Sequence, residues 1–143
     1  MALPTLLIKA ALTAAAPLPE SAVLAIVKDM RAKREGPAQE IVSCLKIDGN
    51  DPTTSLLSKI RMLDSSYVLG SECHFQKNGF VVHAPTGKSG SYISISDFRQ
   101  QANSAEAEIS TRAGPRSGGR WTARFRLKDG DWAIESTTMD VIY

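Results

Sequence analysis

The chain is poor in the residues that usually announce a chemistry: two histidines, two cysteines and no C-x-x-C among 143 residues. Without C-x-x-C, a thioredoxin-like redox pair is excluded. A surplus of charge is missing too. The formal net charge of +2 is too small to make nucleic acid or an anionic membrane an obligatory partner. Beyond residue 16 no stretch approaches the roughly 20 apolar residues that cross a bilayer, so no integral membrane segment is expected after a leader is removed. Internal repeats and low-complexity tracts are absent. What remains is ordinary globular composition, 43% hydrophobic and 22% charged, far from the signature of disorder. The length suits one domain with its own core.

The first sixteen residues, MALPTLLIKAALTAAA, are apolar and end in small residues at Ala14 and Ala16, the A-x-A spacing that signal peptidases accept. Residues 1–16 are therefore expected to be a signal peptide, with the mature domain spanning 17–143. Lys9 inside the run and the lack of Lys or Arg before it favour the alternative, an N-terminal helix of the domain. Export is the preferred reading. It places the protein in the periplasm or outside the cell, where Cys44 and Cys73 are expected to form one disulfide.

Helical periodicity dominates the first half. From Glu20 to Arg34, Val23, Ile26, Val27 and Met30 recur on one side, with Lys28, Asp29, Arg31, Lys33 and Arg34 on the other, and Gly36-Pro37 is expected to end the helix. Residues 40–48 allow a strand or a helical turn, and a strand is favoured. Asp51 as N-cap followed by Pro52 predicts a second helix over 52–63, with Leu56, Leu57, Ile60 and Leu63 on its apolar side.

Period two takes over after Tyr67. Residues 71–77 and 80–84 flank Asn78-Gly79, and further strands are expected at 92–98 and 105–112. The segment RWTARFRLKDGDWAIES, residues 120–136, reads as a hairpin about Asp129-Gly130. Its register pairs Lys128 with Asp131, Leu127 with Trp132, Phe125 with Ile134 and Arg124 with Glu135. A slip of one residue would put the apolar set into water. Residues 113–119, AGPRSGG, are expected to be a mobile hairpin loop, without regular structure, presenting Arg116. Helices first and strands after give an α+β class, with two N-terminal helices on one face of a twisted antiparallel sheet.

Two N-terminal helices followed by a meander that closes on G-x-W resemble the cystatin-like superfold, which includes the nuclear transport factor and ketosteroid isomerase relatives. The run from Asp48 to Cys73, with Asp51-Pro52, Leu56-Leu57 and Ser71-x-Cys73, followed by Gly130-Asp131-Trp132-Ala133-Ile134, is similar to small exported bacterial proteins of unassigned function. The resemblance implies a fold and a compartment and carries no active-site motif.

Candidate chemistry is sparse. VHAPTGKS, residues 82–89, has Val where a phosphate-binding loop needs its first Gly, and no helix follows to receive a phosphate. Arg112, Arg116, Arg120, Arg124, Arg126 and Lys128 form a basic run, but Glu106, Glu108 and Glu135 are placed to neutralise it across strands. Cys73 and His74 are neighbours on a strand and so point to opposite faces, which removes a Cys–His nucleophile. A two-residue turn at Asn78-Gly79 would pair His74 with His83 as a candidate metal pair, although a site needs three or four ligands. If the concave face holds an isomerase-like pocket, Asp97 is its candidate acid. No cofactor is implied. The leading expectation is an exported, non-enzymatic binding module for an envelope protein or a small ligand, acting through the concave sheet or the 113–119 loop. The alternative is a cofactor-free isomerase or lyase. A deep apolar cavity with an acid inside would favour the enzyme, whereas a face filled by its own side chains would favour the binding module.

Overall fold

A computed structural model describes residues 15–34 and 41–142. Helix α1, Glu20–Lys33, follows Pro19, whose fixed φ suits a helix entrance. Its buried residues are Ala22, Val23, Ile26 and Val27, the stripe that the periodicity indicates. Strand β1, Val42–Ile47, comes next, then helix α2, Thr54–Leu63. The remaining strands are β2, Tyr67–Leu69; β3, Cys73–Phe75; β4, Val81–His83; β5, Gly90–Gln101; β6, Ser104–Gly114; β7, Ser117–Lys128; and β8, Asp131–Ile142. The protein is α+β, with a mostly antiparallel sheet. Among the described residues one helix, not two, precedes the first strand, because residues 42–47 take the strand option.

The main sheet has six strands in the order β2-β1-β5-β6-β7-β8, and β3-β4 form a separate hairpin. β1 runs parallel to both β2 and β5, while β5 to β8 form an antiparallel meander. A parallel strand needs cover on both faces, and Val42 through Leu45 are all buried. On one side α1 and α2 close over Leu45, Tyr67, Ile95, Phe98, Ile109, Phe125 and Trp132. Small side chains at Ala105, Ala107 and Ala123 leave room there for the helix and for Phe98, whose ring lies edge-on to Trp132 at 5.6 Å. On the other side the β3–β4 hairpin covers Val42 and Cys44 with Cys73 and Val81.

The hairpin at Asp129-Gly130 forms as the sequence indicates, with φ of +51° and +83° at the turn and Phe125 opposite Ile134. Its register departs at one point. Glu135 is an extra residue in a bulge, so Arg124 faces Ser136, and the Glu135 carboxylate accepts from Arg126 instead, at 3.1 Å. A second bulge at Asp140 sends that carboxylate to Thr122. Bulges and acids together blunt β8, which is an edge strand.

Other expectations need correction. Thr53, not Asp51, caps α2, its hydroxyl accepting from Leu56 N–H at 3.2 Å. The Asp51 carboxylate is occupied by the backbone N–H and hydroxyl of Ser71. Residues 113–119 do form the hairpin connection, but not an irregular loop: β6 and β7 run through them to a two-residue turn at Pro115-Arg116. The glycines serve close approach there. A Cβ on Gly114 would meet the Phe80 ring at 2.8 Å, and one on Gly119 would meet the Trp121 ring at 2.7 Å. Residues 1–14 of the expected leader lie outside the described residues, as does Gly36-Pro37; Ala16 N–H donates to Phe98 O at 2.8 Å.

Cys44 and Cys73 form the expected disulfide, with Cα atoms 6.3 Å apart. Gly90 makes room for it, since a Cβ at that position would lie 2.9 Å from Cys44 Sγ. Two measurements check this packing. Trp132→Ala, at 7% exposure, should cost about 3 to 5 kcal/mol in denaturant unfolding, against less than about 1 kcal/mol for the exposed Arg124→Ala. Removing the cross-link, which spans 29 residues, should cost about 3.5 kcal/mol by chain entropy, read as the difference between oxidised and reduced protein.

Candidate functional site

Three concavities matter, and their linings differ. The first, about 730 Å³, runs between α1 and β8 over Leu24, Ala25, Trp132 and Ile134. A second, about 260 Å³, lies on the concave face against Met30, Ile109 and Trp121. The third is a cleft of about 600 Å³ where the C-terminal ends of α1 and α2 meet the start of β1 and the loop after β4. Polar side chains line all three, but the third carries the largest excess of cations, drawn from α1, α2 and the loop after β4, and fixed polar groups are what orient a ligand.

Arg31 and Arg34 enter this cleft from the end of α1, Arg61 from α2 and Lys88 from the loop, against Asp64 as the one carboxylate among the described lining residues. Ser65, Ser66, Thr86 and His83 add hydroxyls and an imidazole. Four cations and one carboxylate leave a net +3. The two helix C-termini contribute about −0.5 each, so the balance remains near +2. Cations at helix ends have a plain structural use in offsetting those carbonyls, but here they exceed it.

Asp64 is fully engaged. One oxygen accepts from Ser66 N–H at 3.0 Å and from its hydroxyl at 2.7 Å, and the other accepts from Arg34 Nη2 at 2.9 Å. Burial pushes its carboxyl up, but the Ser66 hydrogen bonds together with Arg34 and Arg31 outweigh it and hold the group below the usual carboxylate value. Burial and the neighbouring Asp64 charge push the Tyr67 hydroxyl up to about 12. Arg61 is held in place by donating to Tyr67 O at 2.8 Å. Asp64 therefore makes its close ion pair with Arg34; Arg31 acts on it only at longer range, and neither Arg31 nor Lys88 has a carboxylate within 4 Å among the described residues.

At the β4 end lies a relay. His83 is 5% exposed, with Nδ1 2.7 Å from Thr86 Oγ1 and Nε2 3.2 Å from Glu72 Oε1. Residues 83–88 fold back as a tight turn in which Gly87 N–H donates to His83 O and His83 N–H to Lys88 O, both at 2.8 Å. This is the VHAPTGKS segment, and it is a turn without a helix.

The sequence-derived site residues fall elsewhere. His74 and His83 are not partners: β3 and β4 pair Cys73 with His83 and His74 with Val82. Asn78-Gly79 belongs to a three-residue connection, with Gln76 O accepting from Gly79 N–H and only Gly79 at positive φ, so the register slips by one. Alternation then puts the two rings on opposite faces, His74 exposed and His83 buried. No group of three His, Cys, Asp or Glu placed to hold a metal ion occurs among the described residues. Asp97 is not a pocket acid: it is exposed at a bulge with φ +62° and pairs with Arg99 at 2.9 Å. Arg116 is exposed in its turn and does not line the cleft. The concave face is largely filled by Val23, Ile26 and Val27 of α1. On the outer sheet face the arginines are compensated, Arg120 by Glu108 at 4.0 Å and Arg124 by Glu106 at 3.9 Å.

The lowered pKa of Asp64 fixes the direction of its effect on stability. A group with a lowered folded-state pKa stabilises fully above its unfolded value, here 3.8, and that stability is lost as pH falls through the folded value. Asp64→Asn should therefore lower the melting temperature at pH 7 and narrow its gap to wild type toward pH 2. An equal gap at both pH values would contradict the charge-based role.

Compared with models of protein families, with curated proteins and with solved structures, the chain matches none.

Proposed function

We propose that the protein is an exported binding module of cystatin-like architecture that holds an anionic ligand in the basic cleft. The observation that carries this is the charge balance of the cleft: among its described lining residues, four cations from three elements converge on about 600 Å³ against one carboxylate, which is already engaged by Arg34 and Ser66. The disulfide supports an oxidising compartment, and α1 lying across four long antiparallel strands supports the cystatin-like reading. A concave face filled by the protein's own side chains favours binding over an isomerase pocket there. Exposed guanidinium and ammonium groups with hydroxyls beside them suit carboxylate or phosphate oxygens, the Arg forks bidentately and Lys88 as a point charge.

Isothermal titration with citrate tests this. Binding should weaken as salt rises, and Arg31→Ala combined with Lys88→Ala should reduce affinity about tenfold or more, some 1.4 kcal/mol. Arg116→Ala, outside the cleft, should leave the affinity unchanged. Absence of heat in wild type, or equal affinity in the double variant, would overturn the proposal.

A further inference from the structure

The groups around His83 do more than line the cleft. A carboxylate only accepts hydrogen bonds, so the neutral His83 ring must present its proton at Nε2 toward Glu72 Oε1. Nδ1 is then the bare acceptor. The group 2.7 Å from it is the Thr86 hydroxyl, which must donate its proton to the ring. The Thr86 oxygen in turn receives Lys88 N–H at 3.3 Å, which leaves the O–H free to point at His83. Carboxylate, imidazole and hydroxyl are thus aligned in the order that activates a nucleophile, a base within hydrogen-bond reach of the hydroxyl and a third group fixing the base. The positions suit the roles. His83 is buried, Glu72 is partly exposed, and Thr86 is exposed within the lining of the basic cleft.

We propose that Thr86 is the nucleophile of an acyl-transfer site formed with His83 and Glu72, acting on esters whose acyl group carries an anionic end seated by Arg31, Arg34 and Lys88. This rests on the cleft binding anions. Thr86 Oγ1 attacks the acyl carbon, forming a new ester bond, while its proton passes to His83 Nδ1. The bond from the acyl carbon to the departing alkoxy oxygen then breaks, and His83 returns the proton to that oxygen, releasing the alcohol. Water repeats the two steps on the acyl-Thr86 ester: His83 takes a proton from the water as it attacks and returns it to Thr86 Oγ1, releasing the acid. Glu72 touches no substrate; it is a positioning residue that holds the ring and its tautomer. Glu72 directly precedes Cys73, so the disulfide fixes the backbone that carries it, and Ala84 N–H donates to Glu72 O at 2.9 Å, closing the turn around the relay.

The test uses mono-p-nitrophenyl terephthalate, an ester whose rigid acyl group carries a free carboxylate that cannot reach its own ester, and p-nitrophenyl benzoate, its uncharged counterpart. Over the spontaneous release in buffer, wild type should give a burst of p-nitrophenolate stoichiometric with protein and a terephthaloyl adduct that peptide mapping places on Thr86, and the terephthalate ester should react faster than the benzoate. Thr86→Ala, at an exposed position, should slow the release about 100-fold or more, and Thr86→Ser should restore it. Glu72→Gln should slow the burst without weakening citrate binding. No burst in wild type, release unchanged in Thr86→Ala, or an adduct on Lys88 in place of Thr86 would each overturn the acyl-transfer site. Citrate titration of the same samples separates the two claims: binding retained without acylation removes only the nucleophile, whereas no binding in wild type removes the anion site beneath it.

Discussion

The Cys44–Cys73 bond is the constraint on which the rest of this arrangement depends. A two-stranded hairpin of three-residue strands has little stability of its own in water. Here β3–β4 is fastened beneath β1 by the disulfide and further tied by the Tyr92 hydroxyl, which donates to Cys73 O at 2.6 Å. The hairpin then covers the second face of β1, which as a parallel strand must be buried on both sides. It also carries His83 directly opposite Cys73 and Glu72 just before it. One covalent contact therefore links the inner strand of the sheet to the cleft and its relay.

Charge is distributed in two ways on this molecule, and the contrast defines the site. Along the outer face of β6 to β8, Arg120, Arg124 and Arg126 each meet an acid, at 3.1 to 4.0 Å, and such exposed pairs contribute little to stability. They remove positive potential from that face. In the cleft the one acid is spent on a structural tie between the ends of the two helices, so the other cations keep their field. The same residue types are neutral on the sheet and electropositive between the helix ends.

The sequence made the large pieces legible where several signals agreed. Asp129-Gly130 combined turn chemistry with alternating Phe125, Leu127, Trp132 and Ile134, and both turn residues take positive φ. At Asn78-Gly79 the same dipeptide misled, because Asn-Gly also suits a three-residue connection in which only Gly is left-handed and Asn78 accepts from Phe80 N–H at 3.0 Å. The flanking strands, three residues each, lacked an apolar pattern strong enough to arbitrate. That single slip turned His83 from an exposed partner of His74 into the buried partner of Glu72 and Thr86. The bulge at Glu135 and the close glycine contacts at Gly114 and Gly119 were hidden for the same reason: they are set by tertiary neighbours. The cleft was beyond reach of local reading, since Arg31, Arg34, Arg61 and Lys88 are brought together only by the meeting of two helix C-termini. Their one visible trace is a basic residue in the last turn of each helix.

Amide hydrogen exchange on a Cys44→Ala, Cys73→Ala double variant tests most directly whether the disulfide is what holds the hairpin and its relay in place. The account predicts that Gln76, His83 and Ala84, whose amides bond within and around the hairpin, lose protection selectively, while β5 to β8 keep theirs. Hairpin amides as protected as in the oxidised protein, or lost only together with the whole meander, would contradict it.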